Sequence, residues 1–202
     1  MNKLIEEISL FVEKLFTSYS SVFSYHNLRH TKDVVSLVQD IAENSGIDKE
    51  DKELLLIAAW FHDTGYQENI SIHEEKSAEI AETYLKNKNF SPDKIRLVQN
   101  LILSTKMPQN PMTKLEEIIC DADIAYIGSD DLINRIPELR EEWKQTMNKN
   151  YTDSEWFKQN IKFIESHSFY TDYAREKFGS KRKTNLTILK QLLEKTDGNK
   201  NR

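Results

Sequence analysis

The chain has only five histidines, His26, His30, His62, His73 and His167. Three of them, and three aspartates, fall in stretches whose types and spacing could do chemistry. "YHNLRH" sets His26 and His30 four residues apart, "FHD" joins His62 to Asp63, and "CDADIA" places Asp121 and Asp123 in an otherwise apolar segment. Ionised carboxylates against apolar surroundings are costly without a cation or donors. Imidazole nitrogens and carboxylate oxygens together suit a divalent transition metal, with Zn, Mn, Fe and Co all compatible.

Helices must position these groups. Leu4, Ile8, Phe11 and Leu15 step by three and four and predict a first helix buried on that face. "SSVFSYHN" breaks the pattern. A second helix is expected from near Asn27 to about Asn44, buried through Val34, Val35, Leu37, Val38 and Ile41, with Gly46 at its stop. "DKEDKELLLIAAWFHD" is the third, and its Leu54 to Phe61 stretch, apolar all round, marks a surrounded central helix ending on His62 and Asp63. Gly65 then turns the chain away. Ser71 with Glu74 matches a capping box for a fourth helix that packs through Ala78, Ala81 and Leu85. Ser91 and Pro92 open a fifth, buried through Ile95, Val98, Leu101 and Ile102.

"KLEEIICDADIAYIG" forms the sixth. Asp121 and Asp123 differ by about 200° around it, so one points inward and the other is expected to be solvated. A helix over "DDLINRIPELREEWKQTM" is kinked or restarted at Pro137. "TDSE" boxes the start of the next, and a last helix runs from about Thr171 to Glu194 with a break near Gly179. The expectation is an all-α fold of eight to nine helices, a single domain over 1–202 with a helical extension from about 150.

Composition narrows the function. The 202 residues are 30% charged, 38% hydrophobic and 10% aromatic, with 5 Gly and 4 Pro, which favours a folded helical chain. A net charge of -5 argues against a dedicated nucleic-acid binder. The lone Cys120 allows no internal disulfide. With no signal peptide and no apolar run near 18 residues, a cytoplasmic protein without a membrane partner is expected.

The order His30, His62-Asp63, Asp123 resembles the H…HD…D pattern of the HD superfamily of metal-dependent phosphohydrolases, with 32 residues from His30 to His62 and 60 from Asp63 to Asp123. "YHNLRHTKDVV", "AAWFHDTGY", "HEEKSAEIA", "LILSTK", "CDADIAYIG" and "NLTILKQLL" all resemble a bacterial branch of small HD proteins, so the likeness covers most of the chain. It implies an HD-type bundle and a metal held by His30, His62, Asp63 and Asp123. Asp123 is preferred to Asp121 for its Ala122-Asp123-Ile124 context. It also implies hydrolysis of a small phosphate ester, with a nucleotide as the favoured class, by attack of a metal-bound water.

"YHN" resembles the stretch in which cyclic-nucleotide phosphodiesterases keep a proton-donating histidine, making His26 the candidate general acid. Glu68 is the candidate for orienting the water, and Lys106, His73 and Arg29 for binding phosphate. The metal is one of Mn, Co, Zn, Fe, Ni or Mg. "LILSTKMP" lacks a further histidine, so one tight ion is expected and a second, weaker one left open. A non-catalytic nucleotide sensor and an iron-dependent oxygenase are the alternatives; the intact ligand set weighs against the first and the scarcity of histidines against the second. A homo-oligomer is left open.

Plainer readings stand beside these. His73 fits a capped first turn, Glu68 a solvated loop, Lys106 a surface lysine and Arg29 a carboxylate partner. His167 matches nothing in the metal pattern and Cys120 reads as a small buried side chain. Lys181, Arg182 and Lys183 form a basic run, solvated by default or able to attract a nucleotide.

Overall fold

The computed structural model describes residues 3–19 and 21–200, so Met1, Asn2 and Ser20 of the first helix and the break after it lie outside the described residues. The described residues form nine α-helices and no strand, in agreement with the all-α expectation. They are α1 (Lys3–Thr17), α2 (Leu28–Asn44), α3 (Lys49–Phe61), α4 (His73–Asn87), α5 (Pro92–Ser104), α6 (Lys114–Ile124), α7 (Leu132–Met147), α8 (Asp153–Ser166) and α9 (Asp172–Lys200). Two short 3-10 turns, Ile70–Ile72 and Ala125–Gly128, precede α4 and follow α6. The chain divides into two compact units, 1–123 and 124–202.

In the first unit α3 is the centre, packed against α1, α2, α4 and α5. The Asp48 side chain caps its start through the Asp51 N–H, and Leu54, Leu55, Ile57, Ala58, Ala59, Trp60 and Phe61 are all buried. Each large apolar side chain among them contributes about 1.5–3 kcal/mol by leaving water, which makes this rod a firm base for His62 and Asp63 at its end. The buried face of α1 is Ile5, Ile8, Val12 and Phe16, turned from the expected stripe. Leu4 and Leu15 are half-buried, and Phe11 lies at the edge with its ring 4.7 Å from that of Tyr84. Both stripes are apolar in sequence, so periodicity alone does not choose between them.

α2 starts where Asn27 caps it and stops before Gly46, whose φ of +68° suits glycine. Ser91 and Pro92 open α5 as expected. The Ser71–Glu74 capping box does not form: Ser71 lies in the 3-10 turn, and α4 begins at His73 without a side-chain cap.

In the second unit α8 packs on α9, and the 3-10 turn Ala125–Gly128 packs on α7 and α9. Asn185 donates to the carbonyls of Ile127 (3.0 Å) and Ser129 (2.8 Å), tying that turn to α9. Gly128 is needed there, because a Cβ would lie 2.6 Å from the Phe178 carbonyl oxygen. Neither Pro137 nor Gly179 ends a helix: α7 runs on through Pro137 without a restart, and α9 is unbroken at Gly179, where an added Cβ would meet nothing within 4 Å. The Thr152–Glu155 capping box at α8 is formed.

Candidate metal centre

Four side chains from three helices meet in the first unit. Asn27 Oδ1 accepts from the backbone N–H of Arg29 (2.9 Å) and His30 (3.2 Å), fixing the turn of α2 that carries His30. His62 and Asp63 come directly after α3. The turn beyond them is held by Thr64, whose hydroxyl donates to Phe61 O (2.7 Å) and whose own carbonyl accepts from the Tyr19 hydroxyl. Asp123 comes from the last turn of α6.

His30 Nε2 lies 3.4 Å from His62 Nε2, 3.4 Å from Asp63 Oδ2 and 3.3 Å from Asp123 Oδ1. His62 Nε2 lies 3.2 Å from Asp63 Oδ2 and 3.7 Å from Asp123 Oδ1. Neighbouring donors around a small divalent ion with bonds of about 2.0–2.2 Å stand at such separations. His30, His62 and Asp123 form a cluster able to hold an ion, and Asp63 touches both of its imidazoles.

The donor chemistry fits a metal. His62 Nδ1 lies 2.7 Å from the Ala59 carbonyl, which can only accept, so Nδ1 carries a proton and Nε2 is the nitrogen turned toward Asp63, His30 and Asp123, where it carries either a proton or, in place of one, a metal. Asp63 Oδ2 is buried and faces both imidazole nitrogens, with no other donor at hand. A buried carboxylate oxygen facing two imidazole nitrogens needs positive charge among them. The titration directions agree. Burial alone would lower His62, but the charge of Asp63, reinforced by Asp123, outweighs it and raises the imidazole to about 9. Burial lowers His30, and Asp63 is held well below the usual carboxylate range because the neighbouring histidines outweigh its own burial.

Around this centre the expected residues divide. His73 Nδ1 donates to Ile70 O (2.9 Å), and its Nε2 faces Glu74 Oε1 at 3.3 Å and Asp63 Oδ1 at 3.7 Å. The His26 ring stacks on Tyr66 at 3.8 Å and lies 6.0 Å from the His30 ring and 6.2 Å from the His73 ring. Lys106 is exposed and ion-paired to Glu75. Arg29 and Glu68 are exposed, and no hydrogen bond or ion pair among the described residues joins Glu68 to the four ligands.

Asp121, expected to be the solvated one, is fully buried; the Asp123 side chain keeps 17% of its exposure. The angular argument holds, but both faces of α6 are covered. Three groups escape the sequence reading. Glu74, 5% exposed with its carboxyl raised by burial, fits a cap by spacing, although its place beside His73 is a usable signal. Tyr66, which ends "AAWFHDTGY", and Tyr25, 5.1 Å from the His30 ring, wall the centre.

Cys120 is buried as expected and donates to Ser104 O at 3.1 Å. Burial pushes its thiol up to about 12. At pH 8 the thiolate is then about one part in ten thousand, so a disulfide reagent should modify the native protein at least about a thousandfold more slowly than the unfolded one. Equal rates in the two states would contradict this placement.

The stretch that supplies the four candidate ligands, residues 27–125, matches the family model of the HD domain. The match and the fold thus point to one class of domain: residues 27–125 of this chain are an HD domain by sequence. The chain's fold is similar to the crystal structure of a predicted HD superfamily hydrolase from an uncultured Thermotogales bacterium, with a TM-score of 0.63 over 94% of this chain and 91% of that one, at 21% identity. No curated protein matches the chain. No helix among the described residues is long and apolar enough to cross a membrane.

Proposed function

We propose that the protein hydrolyses a small phosphate ester, with a nucleotide as the favoured class, and that the reaction depends on a divalent ion held by His30, His62, Asp63 and Asp123. The observation that carries the reading is the convergence of two imidazole nitrogens and two carboxylate oxygens on one point, with the buried Asp63 Oδ2 facing both imidazoles. When bound, such an ion supplies Lewis-acid polarisation of a phosphoryl oxygen and lowers the pKa of a coordinated water.

The chain's own groups complete the arrangement. Asp123 is the most exposed of the four ligands, so the centre is reached from its side. His26, half-buried and held flat against Tyr66, is the imidazole placed to give a proton to the leaving oxygen. Arg29, exposed, and Lys106, exposed and ion-paired to Glu75, are the cations for phosphate. Asp63 Oδ1, His73 and Glu74 offer donor atoms for a second, weaker ion. His26 also walls a cavity of about 250 Å³ whose other sides include Phe16, Tyr19 and Phe23. That is slightly below the size of sites for whole drug-like ligands and suits one ring system of a substrate.

A panel of phosphate monoesters, cyclic diesters and diphosphates, offered with Mn, Co, Mg, Zn and Fe, tests the reading; hydrolysis of none would contradict it. On the best ester His26→Ala should lower kcat by about a hundredfold while metal binding stays stoichiometric. Unchanged kcat would remove His26 from the reaction.

A further inference from the structure

The basic run Lys181-Arg182-Lys183 has no part in the metal centre, and the structure gives its members different surroundings. Lys181 is paired with Asp130. Arg182 bonds through Nη2 to the carbonyl of Ile164 near the end of α8, a neutral acceptor that orients the guanidinium without cancelling its charge, and its Nε is buried without an acceptor. Lys183 is exposed, and neither it nor Arg182 has a carboxylate partner among the described residues. Many other surface cations of the chain are paired, as in Lys52–Glu43, Lys94–Glu50 and Lys190–Glu165.

Arg182 and Lys183 line a cavity of about 380 Å³ between α9 and the segment that joins α8 to it. Arg175 lies on the same wall, fixed by the carbonyls of Phe169 and Tyr170 and paired with Asp172. Ser168 and Ser180 add hydroxyl donors, and Gly179 adds no side chain to fill the space. No acidic residue lines it. Capping of α8 accounts for one nitrogen of Arg182. It does not account for Lys183, or for a concave surface that Arg182 and Lys183 line without a carboxylate partner among the described residues, on a chain of net charge -5.

We propose that this cavity is an anion site for the phosphoryl group of a small molecule, built from residues 168–183 and independent of the metal ligands. A guanidinium fork, an ammonium and hydroxyl donors are the set that phosphate oxygens take, and the volume lies within the range of small-molecule sites.

The probe is inorganic pyrophosphate, titrated at low salt into the full chain carrying Asp63→Asn and stripped of metal, with binding read by calorimetry and phosphorus NMR. Saturable one-to-one binding is expected. Arg182→Gln and Lys183→Glu should each weaken it at least about tenfold. Lys190→Glu, an equal change of charge on α9 at a residue already paired, should weaken it much less. If Arg182→Gln fails to fold for want of its bond to Ile164, the exposed Lys183→Glu decides. Binding unchanged in Lys183→Glu, weakened equally by Lys190→Glu, or absent until the metal centre is restored would each overturn the proposal.

Discussion

Asp63→Ala and His62→Ala should each abolish stoichiometric binding of a divalent metal while the helical circular dichroism is kept. Asp63 touches both imidazoles and His62 lies against both carboxylates, so removing either opens the ligand set at its centre. α3 keeps its buried apolar face, and the helix does not depend on the two residues beyond its end. The effect is legible in stability as well as in activity. A metal present at a hundred times its Kd stabilises the folded wild type by about 2.7 kcal/mol, which raises Tm by about 5–10 °C for a chain of this size. Both variants should lose that rise entirely. Hydrolysis of the best ester should fall by at least about a thousandfold, since a metal's contribution to a phosphoryl-transfer barrier is several kcal/mol. Thermal melts with and without metal check the first statement, and a metal-dependent rise in Tm in either variant would contradict it.

The second large effect lies two residues further on. Gly65→Ala should destabilise the protein by about 3 kcal/mol and weaken metal binding. The new Cβ would stand 2.6 Å from His73 O and 2.6 Å from Ser77 N, and against the Lys76 Cβ. These belong to the first turns of α4, so no side chain can swing aside to make room. Gly65 N–H also donates to Ser77 Oγ at 2.9 Å, so the HD turn and α4 are locked together. Pushing α4 outward carries His73 and Glu74 away from Asp63. Denaturant unfolding and a metal titration on the same variant test this; wild-type stability would show that α4 does not sit against the turn.

Gly65 also marks where the sequence stops being legible. Its position in the chain suggests a turn, yet its φ is not positive; the demand is room for another helix, which is a fact about packing that no local pattern records. Local signals fare well because local physics makes them. Ser91 and Thr152 cap helices by bonding a few residues ahead, and the apolar run from Leu54 to Phe61 is buried because such a run has no polar face to show. The convergence of His30, His62, Asp63 and Asp123 is legible through four residues set at spacings that match a known pattern. Glu74, Tyr66 and the burial of Asp121 are not, since each depends on which helix covers which. Ser71 and Glu74 show the limit most plainly: their spacing fits a cap, but the carboxylate turns to His73 instead.

Diffraction from crystals soaked in manganese, collected for anomalous signal, tests the central claim most directly. The structure predicts one dominant peak about 2.0–2.2 Å from His30 Nε2, His62 Nε2, an Asp63 oxygen and an Asp123 oxygen. A fully soaked crystal with no peak among those four residues, or with its dominant peak on other ligands, would contradict it.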